Sequence, residues 1–219
     1  HDPGHLQPLS AAAPLAKPDP DNAEIWVARA LGENRDLQTL KLAVDLAKLG
    51  IDLEKAGRFP TVGLGLSAEY TDSAVSDGTD TSLTFSLSLP FYQGGLVNAR
   101  VREAASEHNA ARASYESARR DVQRQTLQAF HGVNSQLRRI QALAEAVRAG
   151  ESALQAKEER FAAGLTTNIE VLDAQRDLFR AERDYLKARY DYVLQVLLLE
   201  QLAGQLDESD IARINHWLG

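Results

Sequence analysis

The chain has no cysteine and no methionine among its 219 residues, and only 6% of them are aromatic. Without cysteine there is no disulfide framework, no thiolate metal site and no cysteine nucleophile. Without methionine there is no initiator, so the sequence is expected to begin inside a longer precursor whose signal peptide has gone. No apolar run approaches about 18 residues, which excludes a membrane-spanning helix but not a membrane-spanning β-barrel, whose strands hide in alternating sequence. Positive charge is in deficit, with 24 Lys and Arg against 31 Asp and Glu for a net of −7. That balance argues against a nucleic-acid partner held by bulk basicity. What is plentiful is alanine and leucine, which carry most of the 44% hydrophobic share, as in long packed helices.

Residues 1–19 hold Pro3, Pro8, Pro14 and Pro18 without periodicity and read as a linker. Asp19, Pro20 and Asp21 supply capping and first-turn residues for a helix that breaks at Gly32-Glu33-Asn34, resumes near Asp36 and stops at Gly57 and Pro60. Two strands follow. Val62, Leu64, Leu66, Ala68 and Tyr70 alternate with small or polar residues, and beyond a loop placed at Asp72–Asp80 so do Leu83, Phe85, Leu87 and Leu89. Period two makes one apolar and one polar face. Each strand has about the 9 to 11 residues that a tilted strand needs to cross a bilayer. In a soluble sandwich the apolar face would be core, and the alternation by itself leaves both readings open. The Ser, Thr and Gly face suits a wet lumen, and Phe59, Phe91 and Tyr92 at one end, with Tyr70 near the other, are spaced like interfacial girdles.

From Leu96 to about Ala163 only Gly132 and Gly150 interrupt a helical pattern, which makes roughly 100 Å of helix. A turn at Gly164 leads to a second helix over about Thr167–Ala203, and a short one over Glu208–Leu218 ends the chain. The second helix and the Asp36–Ala56 helix, set end to end, nearly match the long one in length. Each helix of the long pair carries two seams. On the first, Phe130, Val133, Leu137, Ile140, Ala144, Val147, Leu154 and Phe161 form a large-residue heptad seam, and Ala142, Ala146, Ala149, Ala153, Ala156 and Ala163 form a small one. On the second, Ile169, Leu172, Phe179, Leu186, Tyr190, Val193 and Leu197 form one, interrupted by Arg176 and Arg183, and Val171, Ala174, Leu178, Ala181, Tyr185, Ala188 and Tyr192 the other. The seams lie roughly 150° apart. A helix with two nearly opposed seams has a neighbour on either side, as in a wall that closes into a hollow cylinder; a solid bundle would favour one broad apolar stripe.

An acidic row, Glu170, Asp177, Asp184 and Asp191 with Asp173, points away from both seams. It reads either as a solvated flank pairing with Arg139, Lys157 or Arg160, or, through Glu170 and Asp173 just past the turn, as a carboxylate ring that concentrates cations in a bore. No catalytic, metal or cofactor site emerges: His1 and His5 sit in the linker, His108, His131 and His216 have no partner at ligand spacing, and Gly-rich phosphate loops and nucleophile elbows are missing. Arg112, Arg119, Arg120 and Arg124 lie among acids and read as flanking charges, not as a nucleic-acid site.

Pro60-Thr61-Val62, then Leu89-Pro90-Phe91-Tyr92-Gln93-Gly94-Gly95, then Ala163-Gly164 followed by Ile169-Glu170-Val171-Leu172-Asp173-Ala174-Gln175, resemble the TolC-like outer-membrane efflux proteins over about Asp19–Gly219. The Tyr-Gln-Gly-Gly run looks most like the branch serving type I secretion. The resemblance implies a mainly α fold with a β-hairpin: a long coiled-coil helical hairpin in a periplasmic tunnel wall, plus two strands of a trimeric transmembrane β-barrel. Residues 1–19 would be linker, 20–58 short helices of the tunnel and equatorial region, 59–90 the transmembrane β-hairpin, 91–203 the helical hairpin with its tip near 164–168, and 204–219 a short equatorial helix. Val62, Leu64, Leu66, Leu83, Phe85, Leu87 and Leu89 would face lipid. Ala163, Gly164, Leu165, Thr166 and Thr167 would be the tip that meets an adaptor, and Glu170 and Asp173 would form the constriction at the entrance. Family members latch that entrance with a tyrosine and an arginine, where this chain has Phe161 and Thr166.

The expected activity is a passive export conduit in the outer membrane of a Gram-negative bacterium, a homotrimer with no enzyme chemistry and no cofactor. Its partners would be a periplasmic adaptor, an inner-membrane ABC or other pump, and outer-membrane lipid. Three copies of one β-hairpin fall short of the eight strands of the smallest familiar barrels, so a preceding half with its own β-hairpin is expected. The alternative is a periplasmic adaptor-type coiled-coil module. An adaptor would flank its helical hairpin with β segments on both sides, whereas both strands here precede it.

Overall fold

The computed structural model describes residues 15–73 and 76–217. In chain order the elements are α1 (Ala23–Glu33), α2 (Arg35–Ala56), β1 (Thr61–Ser73), β2 (Ser76–Ser88), α3 (Leu96–Ala162), α4 (Asn168–Leu202) and α5 (Glu208–Trp217). They fall into two compact units, one of His1–Gln38 with Ser117–Gly219 and one of Thr39–Glu116.

In the first unit α3 and α4 run antiparallel. Gly132 lies against Gln195 and Gly150 against Leu178, while Lys157 meets Glu170, so the pairings advance on one helix as they retreat on the other. The core holds Phe130, Val133 and Ile140 of α3 and Ala188, Tyr192, Val193 and Leu199 of α4, closed by Trp26 of α1, with Ile214 and Trp217 of α5 packed on it. Asn34, buried between α1 and α2, serves three elements: its N–H donates to Ala30 O (3.1 Å), its Oδ1 accepts from the Leu37 amide (3.1 Å), and its Nδ2 donates to Leu202 O (3.0 Å). Helix α5 opens with a reciprocal cap. Asp207 Oδ1 accepts from the Ser209 and Asp210 amides, and Asp210 Oδ2 accepts from the Asp207 amide.

One expectation is corrected here. Helix α1 is capped by Asn22, whose Oδ1 accepts from the Glu24 amide at 2.9 Å, not by Asp19–Asp21. The Asn22 amide donates to Pro20 O (2.8 Å) and the Trp26 indole donates to the same carbonyl (2.9 Å), so a turn occupies Pro20–Asn22 and the helix starts after it. The described end of the expected linker is also fastened. Tyr192 Oη donates to Ala16 O (2.7 Å) and lies 3.2 Å from the Ala16 amide.

In the second unit β1 and β2 pair antiparallel from Thr61↔Ser88 to Ser73↔Ser76. The loop expected at Asp72–Asp80 is therefore mostly ladder, with Asp72 opposite Asp77 and Glu69 opposite Asp80; Ala74 and Val75 lie outside the described residues. The bonds of the ladder are made by backbone, so pairing continues through residues whose side chains favour turns. Gly94 and Gly95, both at positive φ (59° and 82°), turn the chain into α3, and Arg58 reaches Asn98 at 2.7 Å.

Candidate functional site

The β-hairpin separates its two faces by register. Val62↔Leu87, Leu64↔Phe85 and Leu66↔Leu83 face each other on one side, and Gly63↔Ser86, Gly65↔Thr84 and Ser67↔Ser82 on the other. The six apolar side chains are each 64–74% exposed. The opposite face binds itself with small polar groups, Ser67 Oγ standing 2.8 Å from Ser82 Oγ. Phe91 and Tyr92, at the foot of this hairpin, are almost fully exposed. In the same unit Leu42, Leu46, Leu49 and Leu53 of α2 form an exposed stripe that sequence reasoning missed, although its 4-3-4 spacing is the signal of a coiled-coil seam.

The helical hairpin presents the expected seams unequally. The large seam of α3 and the Val171–Tyr192 seam of α4 turn toward one another: Phe130, Val133, Ile140, Leu178, Ala188 and Tyr192 are buried. The remaining seams are open. Ala142, Ala146, Ala149, Ala153 and Ala156 of α3 are exposed, as are Ile169, Leu172, Phe179, Leu186 and Tyr190 of α4. Only toward Val193 and Leu197 does the second α4 seam become covered.

At the tip, α3 ends in a Schellman motif: Leu165 N donates to Arg160 O (2.8 Å), Gly164 N donates to Phe161 O (2.9 Å), and Gly164 has φ +70°. Thr167 caps α4 without a side-chain bond. Glu170, in the first turn of α4, meets Lys157 across the hairpin, Nζ to Oε2 at 2.5 Å. Asp173 instead pairs along its own helix with Arg176 at 2.7 Å. The Lys157 ammonium, hydrogen-bonded to the carboxylate, holds Glu170 down at about 2, helped by the adjacent Thr166 hydroxyl and the Thr167 amide. The rest of the acidic row is paired too, Asp177 with Arg180, Asp184 with Arg183 and Asp191 with Lys187. Ala163, Gly164, Leu165 and Thr167 are exposed, Leu165 by 69%, and Thr166 is half-buried. The structure thus places Glu170 and Asp173 three residues apart at the start of α4, each in a separate ion pair. It also adds Arg176, which sequence reasoning had marked only as a break in a seam.

Among the described residues no helix is long and apolar enough to cross a membrane, and no group of three or more His, Asp or Glu is placed to hold a metal ion.

Residues 26–205 match the outer membrane efflux protein family. Outer membrane protein TolC of Escherichia coli (strain K12) is 32% identical over 219 residues, covering 92% of this chain and 44% of that protein. The alkaline protease secretion protein AprF of Pseudomonas aeruginosa is 28% identical over 211 residues, covering 94% and 44%. The chain therefore spans less than half the length of the curated relatives it matches. Among solved structures, the Campylobacter jejuni CmeC outer membrane channel shares the fold, with a TM-score of 0.68 at 21% identity over 87% of this chain and 42% of that one.

Proposed function

This chain belongs to the outer membrane efflux protein family, and from that membership we propose that it forms part of a passive export conduit in the outer membrane that extends into the periplasm. In this reading β1 and β2 contribute to a transmembrane barrel, with Val62, Leu64, Leu66, Leu83, Phe85, Leu87 and Leu89 against lipid. Helices α3 and α4 are wall segments of a homotrimeric tunnel, each open seam covered by a neighbouring copy. Small exposed alanines beside large exposed Ile, Leu and Phe side chains are the knobs and holes such a contact needs. Residues Ala163–Thr167 meet a periplasmic adaptor, Glu170 and Asp173 line the entrance, and an inner-membrane ABC or other pump loads the conduit. Similarity to a protein named for alkaline protease secretion supports protein export by the type I route, beside small-molecule efflux. The family is a class of transport channel, and no reaction is proposed.

The observation that carries this reading is the β-hairpin with six large apolar side chains exposed on one face. A patch of that kind is unfavourable in water and matches the lipid face of an outer-membrane strand pair. An adaptor offers no use for such a face, and the two strands here both precede the helical hairpin. The test is insertion of the purified full-length protein, including the preceding half that a closed barrel requires, into planar lipid bilayers. Stepwise conductance is expected, and a protein that stays folded in buffer without detergent and gives no conductance would overturn the reading.

A further inference from the structure

We propose that Lys157 is a specificity-determining residue of the entrance: paired across the hairpin with Glu170, it cancels that carboxylate and so limits the preference of the conduit for cations. The inference rests on the conduit reading above and goes beyond it by assigning the control of charge to a residue outside the acidic pair.

Three observations carry it. Lys157 stands on α3 and Glu170 on α4, so the ion pair ties the two arms beside the turn at Gly164. It is more shielded than its neighbour: the side chains of Lys157 and Glu170 are 37% and 48% exposed, against 68% and 53% for Arg176 and Asp173. An exposed pair on one helix surface is loosely held in water, so Asp173 exchanges Arg176 for a passing ion more readily than Glu170 gives up Lys157. Finally, the depressed proton affinity of Glu170 is attributable first to Lys157, so the carboxylate is ionised, and available to that ion pair, at every physiological pH. Repeated around a symmetric opening, such pairs are a ring of dipoles, whereas bare carboxylates would be a ring of full negative charges that concentrates cations.

The test is the reversal potential of single channels in a KCl gradient, read for the whole protein and for Lys157→Gln, Glu170→Gln, the double variant and Asp173→Asn. Lys157→Gln exposes Glu170 and should raise the potassium-to-chloride permeability ratio about twofold or more. Glu170→Gln leaves an unpaired ammonium and should lower it. The double variant, neutral at both positions, should return close to the unaltered protein, and Lys157→Arg should keep its value. If Lys157→Gln leaves the ratio unchanged while Asp173→Asn lowers it, the role of Lys157 is refuted and the entrance reading survives. If none of Lys157→Gln, Glu170→Gln and Asp173→Asn moves the ratio, the placement of Glu170 and Asp173 at the entrance falls, and the inference with it. A protein that forms no channels refutes both at their root.

Discussion

Gly204 is packed so closely on Glu33 that a Cβ at its position would lie 2.3 Å from the Glu33 carbonyl oxygen. It is also the left-handed residue of a second Schellman motif, with φ +72°, Gly204 N bonded to Gln201 O and Gln205 N to Glu200 O. Two independent requirements, a backbone angle and an absence of volume, thus meet at the point where α4 ends against α1. Gly204→Ala should cost about 3 kcal/mol, combining the left-handed penalty with overpacking against backbone that cannot yield. Urea unfolding followed by helical circular dichroism measures it, and a loss under about 1 kcal/mol would show that the junction relaxes.

Asn34 is the polar counterpart of that contact. Its amide nitrogen satisfies a carbonyl at the end of α4 and its amide oxygen an N–H at the start of α2. Asn34→Leu removes both bonds and leaves two buried backbone groups unpaired, so a loss of about 2–3 kcal/mol is expected. Asn34→Asp keeps the acceptor but faces the Leu202 carbonyl with a second oxygen. It should cost nearly as much at neutral pH and recover on acidification as the carboxyl regains a donor. The same unfolding measurement at two pH values distinguishes the roles.

The alternation of β1 and β2 and the paired heptads of α3 and α4 were legible because both report a period, and period is set by backbone geometry alone. Two kinds of feature escaped it. The ladder through Asp72 and Asp77 is made of main-chain bonds, so side chains that favour turns gave the wrong sign. Which cation meets Glu170 depended on how the turn at Gly164 returns the chain: Arg139, Lys157 and Arg160 were equally available as letters. Only the antiparallel stagger, with Gly150 beside Leu178 and Gly132 beside Gln195, brings Lys157 level with Glu170. The seams themselves were readable, but not which of the two on each helix faces inward, since either choice satisfies the same heptad.

The Lys157–Glu170 pair has a pH signature of definite sign. Its folded proton affinity lies below the free value of 4.5, at about 2, so the pair is complete above the ordinary glutamate range and is lost as pH falls through about 2. Carbon-13 NMR of labelled glutamate carboxyls should show one group titrating far below the others. In Lys157→Gln that group should move up toward 4.5. If it stays low without the lysine, the Thr166 hydroxyl and the Thr167 amide hold it, and the cross-arm ion pair is not the cause.

Ala149 and Gly150 are neighbours on α3 with opposite duties. A Cβ on Gly150 would sit 3.2 Å from Leu178 Cδ1 and 3.5 Å from Leu178 Cα, so this position belongs to the contact inside the hairpin. Ala149 is exposed, in the row of alanines left open among the described residues. Gly150→Leu should therefore push α4 away and destabilise the chain itself by about 1–3 kcal/mol, whatever its state of assembly. Ala149→Leu should leave the helicity and melting of the isolated chain within about 0.5 kcal/mol of the original, as for other surface positions. It should instead weaken self-association, because a hole shaped for a large side chain of the next copy would be filled. Sedimentation in detergent reads the second effect and thermal unfolding the first. Were Ala149→Leu to assemble as well as the unaltered protein, the alanine row would not be a contact between copies, and the side-by-side wall would lose its physical basis.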